Sequence, residues 1–504
     1  MSNQTDLASV WRGLWDVLLK ERPPARVVAR QRYYPWLVIG TVCIGAFMGQ
    51  ADASVAQLVL PVLERQFDQS LSAISWVAIG YTLTLGVFLP IFGRLADLFG
   101  RKMLYTSGFL LFILGSGLCG AATSLDMLVG FRVFQAIGAA LLQANSIAIV
   151  VTAAGERHRG RAIGLQAAAQ AVGLSAGPAI GGALIHALSW RWIFWINVPF
   201  GLAGAVLGWF VLPKTGLVDP DRRFDWAGVA MLAPTLAGLV LMINEGQQWG
   251  VASPAFAVCA LAVCVLLPLF IWREPKISAP LLDLYLFRRH AFWAGNLAGL
   301  LSYAMLFGVF FLMPFVFDRA YGEGPLAAGL GLTVIPVALG LLSPISGFLY
   351  DRAGPRALTA SGMVLSLIAF ALLELVMGGE GSMLPTLGAL ALFWVGQGLF
   401  TSPNNSSVMA AAPRGRVGQA GGILNVTRSF GTSIGVAAAS AVLSWRLAQA
   451  TGGPQGTLHA SPAVMLEAAH YVLALFALFA LVAAALCWVR PEVNPEHSPA
   501  DGAE

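Results

Sequence analysis

Apolar runs of about twenty residues, long enough to span a hydrocarbon layer, recur along the whole chain between short polar turns. They fall near 36–58, 73–93, 103–122, 127–152, 161–186 and 192–212, then near 226–244 and 254–272. Six more lie near 291–317, 326–349, 357–378, 384–411, 419–445 and 464–489. The pattern predicts an all-α polytopic membrane protein of fourteen transmembrane helices: a tail over 1–35, a six-helix bundle over 36–212 and a linker over 213–289 carrying two inserted helices. A second six-helix bundle over 290–490 and a tail over 491–504 complete it.

The polar positions carry a repeat. The one dense charge cluster between two long apolar runs is Gly93-Arg94-Leu95-Ala96-Asp97-Leu98-Phe99-Gly100-Arg101-Lys102, and a worn copy, Gly347-Phe348-Leu349-Tyr350-Asp351-Arg352-Ala353-Gly354-Pro355-Arg356, stands 254 positions later. A charged, glycine-framed turn in each half of a hydrophobic chain points to two related bundles with a loop on the same face. Six spans with short turns take about 180–210 residues, so the 254-residue offset accommodates an inserted pair. Placing the N-terminus in the cytoplasm puts 24 of the 30 Lys and Arg residues in cytoplasmic segments, as the positive-inside bias requires. Both termini are then cytoplasmic, and the amphipathic stretch Trp11 to Lys20 reads as an interfacial tail, not a cleavable signal.

Composition removes the other classes. With 57% hydrophobic residues, 11% charged and a mean hydropathy of +0.74, the chain cannot present a water-soluble surface. The net charge of +5 is scattered over short turns, so no nucleic-acid partner is expected. Five cysteines in apolar runs without a Cys-x-x-Cys pair, and six histidines without ligand spacing, imply neither disulfides nor a metal. There is no Gly-x-x-x-x-Gly-Lys-Ser/Thr loop and no nucleophile and base pair, so the chain is read as a non-enzymatic transporter without a cofactor, driven by the proton motive force.

Further stretches point to a family. The decapeptide resembles the cytoplasmic loop signature of the major facilitator superfamily. Asp52-Ala53-Ser54-Val55-Ala56 through Pro61, Gly130-Phe131-Arg132-Val133-Phe134-Gln135 through Ala140, Gly173-Leu174-Ser175-Ala176-Gly177-Pro178-Ala179-Ile180-Gly181-Gly182 and Trp190 through Gly201 are similar to motifs of its fourteen-span drug:proton antiporter branch. The resemblance implies the major facilitator fold. It also implies that the loop is a cytoplasmic latch, formed by Gly93, Arg94, Asp97, Gly100, Arg101 and, more weakly, Asp351. The antiporter motif falls on Gly173, Gly177, Pro178, Gly181 and Gly182, whose four-residue spacing gives one helix a close-packing face.

Ionisable groups inside apolar spans are costly enough to be functional candidates. Asp52 lies nine residues before Pro61, roughly 13 Å along the helix, and Arg132 five residues beyond Met127, roughly 8 Å, so the two share a depth. A carboxylate beside an arginine suits proton coupling, because pairing favours the charged form and desolvation the protonated one; a static ion pair is the plain alternative. Glu374 is a further coupling candidate, and Gln135, Asn404, Asn405 and Arg428 are candidates to line the cavity. The expected protein is a proton-coupled exporter of hydrophobic small molecules, cationic compounds included, working by alternating access as a monomer in a cell membrane, the inner membrane in a bacterium. A lipid or fatty-acid exporter and a proton-coupled solute importer fit the same scaffold.

Overall fold

The computed structural model describes residues 23–214, 225–250, 252–277, 280–377, 383–413, 416–453 and 460–490, apart from the side chains at 97, 156–157, 247, 334–353 and 417–418. The predicted tails at 1–22 and 491–504, including the Trp11 to Lys20 stretch, lie outside these residues.

Fourteen long helices are present among the described residues. The first six are α1 (Tyr34–Leu58), α2 (Leu71–Phe99), α3 (Arg101–Ala121), α4 (Leu125–Gly155), α5 (His158–Ala187) and α6 (Trp192–Val211). The inserted pair is α7 (Trp226–Trp249) and α8 (Pro254–Arg273). The last six are α9 (His290–Arg319), α10 (325–353), α11 (Gly354–Val376), α12 (Met383–Ala410), α13 (Val417–Thr451) and α14 (Pro462–Val489). Thirteen are long and apolar enough to cross a membrane among the described residues; α10 is the other, and most of its side chains are not described.

Local chemistry sets the ends. Ser70, Ser124, Asp225, Ser253 and Ser461 cap the starts of α2, α4, α7, α8 and α14, each accepting a backbone N–H three residues on. Gly155 (φ 64°) breaks the continuous helical path between α4 and α5. The decapeptide and its copy share one backbone device: Gly100 (φ 102°, ψ 134°) and Gly354 (φ 73°, ψ 161°), 254 positions apart, turn the chain in a region that only glycine occupies cheaply. The repeat read from the sequence is therefore a repeat of conformation.

Each bundle has its own apolar packing, with α1 against α5 and α6, α3 against α4 and α6, α9 against α13 and α14, and α12 against α10 and α11. The bundles meet along α2 with α13, where Ser433 donates to Thr82 at 2.9 Å, and along α5 with α10. In the inserted pair, α7 packs on α13 and α2, and the Glu245 carboxylate accepts from Ser72 and Trp76 of α2 at 3.1 and 2.6 Å. Glu245 lies just beyond the apolar run at 226–244, in the last polar turn of α7, and anchors the pair to the first bundle. Helix α8 is apolar and almost wholly exposed, with Val258, Leu261 and Val265 outward, as a lipid-facing helix should be. An even number of helices leaves Tyr34 and Val489 on one face, the near side; the end of α1 at Leu58 marks the far side.

Candidate functional site

Five helices of the first bundle converge on Asp52. Its side chain is fully buried, and Arg132 of α4 meets it with Nη1 2.5 Å from Oδ2. Gln135, one turn further along α4, accepts from the same Nη1 at 2.6 Å and donates to Asp52 Oδ1 at 3.0 Å. Asn197 of α6 donates to that Oδ1 at 3.0 Å, and Ser116 of α3 accepts from Gln135 at 2.5 Å. Arg132 Nε donates to the Val77 carbonyl of α2 at 3.2 Å, and its guanidinium stacks 4.1 Å above the Tyr81 ring. A buried ion pair needs its hydrogen-bonding sites filled, and these partners occupy both Asp52 oxygens and Nε and Nη1 of Arg132. The shared depth read from the sequence corresponds to direct contact.

Tyr81 also belongs to the wall of a narrow cavity of about 50 Å³ between the bundles, with Gln50, Gln143 and Gln170 on one side and Phe307 and Arg428 on the other. A wider vestibule of about 720 Å³ shares Gln143 and extends to the near side, past Gly93, Arg94, Arg101 and Arg159. Of the expected lining residues, Arg428 is in the cavity wall. Gln135 is not; it stands behind the wall in the Asp52 network. Asn404 is also absent from that wall: it is fully buried, donating to the Gly295 carbonyl at 3.0 Å and accepting from Arg490 at 3.0 Å, with Ser407 on the same guanidinium. Arg490, at the C-terminal end of the second bundle, is thus a buried cation that needs these oxygens, and Asn405 beside them is half-buried. Glu374 is exposed near the far end of α11, in the second bundle and away from the Asp52 network.

The glycines of α5 have two destinations. A Cβ on Gly177 would run into Ser54 and sit 2.8 Å from the Ala51 carbonyl, and Gly173 and Gly181 face Phe47 and Val55, so this stripe seats α5 on α1. Gly182 instead faces the other bundle, where a Cβ would lie 2.5 Å from the Pro325 carbonyl, and Gly329 of α10 packs onto Pro178. The motif therefore closes the far side by backbone contact.

A pair of ion pairs reinforces that closure. In the short helix Leu60–Phe67, Glu64 pairs with Arg319 at the end of α9, and Arg65 makes a two-pronged contact with Asp318, both N–O distances 2.9 Å. The dipeptides Glu64-Arg65 and Asp318-Arg319 thus clasp the bundles together. Arg65 is largely exposed, and such a pair contributes at most about 1 kcal/mol. Glu64 is fully buried, and burial pushes its carboxyl above the usual carboxylate range although Arg319 pulls it down. Desolvation thus offsets much of the attraction, which suits a contact that must reopen.

On the near side, Arg94 and Arg101 line the vestibule, while the side chains of Asp97 and Asp351 lie outside the described residues. The two glycines of the decapeptide differ. Gly100 supplies the turn, but a Cβ on Gly93 would meet nothing within 4 Å among the described residues, so no close helix contact is made there among them. Gly93→Ala is expected to leave folding unchanged, whereas Gly100→Ala should cost about 1–3 kcal/mol of backbone strain. Thermal melting of the two variants in detergent separates them, and equal melting points would contradict the assignment.

Ser116, Asn197, Glu64 and Arg319 were not among the residues singled out. Asn197 had a signal, since it lies inside the Trp190 to Gly201 stretch. Ser116 is one hydroxyl in an apolar helix and had none.

Against known proteins, a family model described as Major Facilitator Superfamily matches residues 42–436. The riboflavin transporter RibZ of Clostridioides difficile is 35% identical over 405 residues, 80% of this chain and 87% of that protein. Multidrug resistance protein Stp of Mycobacterium tuberculosis is 32% identical, covering 80% of this chain and 74% of its own. The tetracenomycin C resistance and export protein of Streptomyces glaucescens is 27% identical, covering 82% and 77%. Among solved structures, a bacterial homologue of the human lysosomal transporter Spinster, inward-facing and occupied, superposes with a TM-score of 0.66 over 91% of this chain and 97% of that one, at 16% identity. That likeness is one of fold.

Proposed function

The chain belongs to the major facilitator superfamily and is a multi-pass membrane transporter, not an enzyme; from that premise we propose that it is a proton-coupled exporter of hydrophobic small molecules, of the fourteen-span drug:proton antiporter kind. In this reading the bundles are 36–212 and 290–490, the inserted pair belongs to 213–289, and the near side faces the cytoplasm of a cell whose outer membrane surface carries the clasp. One copy suffices, and the coupling ion is the proton with no other cofactor. The observation that carries the reading is the buried Asp52–Arg132 pair whose arginine stacks on a residue of the cavity wall. When Asp52 takes a proton, Arg132 loses its counter-charge and keeps Gln135, the Val77 carbonyl and the Tyr81 and Phe194 rings. The pairing state is thereby felt at the cavity, which is what alternating access needs from a coupling site. The exporters among the relatives support the direction of transport.

The riboflavin transporter among them supports a second reading, movement of a solute together with the proton. Proteoliposomes with an acidic interior and a panel of hydrophobic fluorescent dyes separate the two. Antiport draws dye into the acidic interior as protons leave, and a protonophore abolishes the accumulation. Dye that leaves with the protons supports symport, and no dye-dependent proton flux across the panel would overturn proton coupling.

A further inference from the structure

We propose that the cargo is an aromatic organic anion, a carboxylate or phenolate on a planar ring system, whose charge is held by Arg428. The proposal rests on the transport reading and concerns what the same cavity takes. Among the described residues lining the cavity Arg428 is the one with a formal charge; the polar remainder of these are amides and hydroxyls, with no Asp or Glu among them. Asp52 does not supply the missing negative charge, because its side chain is buried and its oxygens are taken by Arg132, Gln135 and Asn197.

Arg428, half-buried, differs from the paired arginines of the molecule. Arg132 has Asp52, Arg319 has Glu64, and Arg490 has Asn404 and Ser407. The Arg428 guanidinium has the Tyr303 ring 5.3 Å away and, among the described residues, no carboxylate or carbonyl that accepts from it. A cation in the middle of a membrane protein needs a counter-charge, and the cavity leaves that place to the cargo. The Tyr81 hydroxyl points the same way: it is buried, belongs to the same cavity wall and has no hydrogen-bond partner among the described residues. Two donors await acceptor oxygens. Gln143 Oε1 is a buried acceptor without a partner, so the cargo carries a hydroxyl or N–H as well. Phe307 and the Tyr81 ring give the cavity flat apolar walls, and through Gln143 it adjoins the vestibule, whose volume of about 720 Å³ is that of a pocket that encloses a drug-sized molecule.

The test uses two dyes on one xanthene frame, fluorescein as the anion and rhodamine 123 as the cation, with the full chain in lipid nanodiscs and binding followed by fluorescence anisotropy. The wild type is expected to bind fluorescein at least about tenfold more tightly than rhodamine 123, the scale of one charge-assisted contact. Arg428→Gln should lose that margin for fluorescein and leave rhodamine 123 unchanged or tighter, and Arg428→Lys should recover part of it. If Arg428→Gln does not fold, displacement of fluorescein from the wild type by benzoate but not by tetraethylammonium reads the same preference. Binding of neither dye, equal binding of both, or fluorescein binding indifferent to Arg428→Gln overturns the proposal. The transport reading fails separately: a wild type that pumps rhodamine 123 but does not bind fluorescein is an exporter with another cargo, and one that binds fluorescein without moving either dye is not an exporter.

Discussion

Asp52→Asn is expected to bring gradient-driven export and substrate-induced proton release down to the level of protein-free vesicles while cargo still binds and exchanges downhill. Asparagine keeps the shape of the side chain and can accept from Gln135 and Asn197, but it neither carries a proton nor balances Arg132. The single change therefore also leaves a buried cation uncompensated, at a cost of about 3–5 kcal/mol in stability. Asp52→Asn with Arg132→Gln removes both charges and should recover most of that stability. It should not recover coupling. This contrast separates a proton carrier from a static ion pair: if the double variant pumps at the parental rate, the pair only fixes packing and the carrier lies elsewhere. Arg132→Lys is expected to rescue neither property fully, because an ammonium cannot hold Asp52, Gln135 and the Val77 carbonyl at once while stacking on Tyr81.

The far-side clasp should respond in opposite directions to one substitution and to two. Glu64→Leu removes the carboxylate that faces the nearly buried Arg319 and is expected to disfavour the closed far side by about 3–5 kcal/mol, about two to four orders of magnitude in population. Glu64→Leu with Arg319→Met replaces a costly ion pair by apolar contact, which is neutral or stabilising by about 1–4 kcal/mol, and should hold that side shut. Both variants should turn over slowly, for opposite reasons. Spin labels placed across the far ends of α1 and α9 report the difference as a longer mean distance in the single variant and a shorter one in the double. If the two variants give the same distance distribution as the parent, the clasp has no part in gating.

The helices and the charged pair were legible in the chain because hydrocarbon penalises polarity so heavily that every exception stands out. Helix ends were less so. Hydropathy puts the end of α2 near 93, of α7 near 244 and of α13 near 445, yet the helices run on to Phe99, Trp249 and Thr451. The apolar run marks where lipid stops, whereas the backbone ladder continues into the polar region with no need of apolar side chains. Gly100 and Gly354 could be paired by their repeat. Glu64 and Arg319 could not, because charges at span ends are expected in any membrane protein and nothing in one sequence links positions 255 apart. Asn404 illustrates the reverse error: a polar patch in a late span suggested a cavity wall, but its oxygen was needed by Arg490 from the end of α14.

The whole Asp52 network is built from α1, α2, α3, α4 and α6, while the one charge that faces the cargo sits on α13 of the other bundle. The ion pair and the charge that reads the cargo thus lie in different bundles, with Tyr81 the residue common to both. Selection for a different cargo can draw its variants from α13 without disturbing the residues that handle the ion, so new specificities need not be invented together with a new energy source.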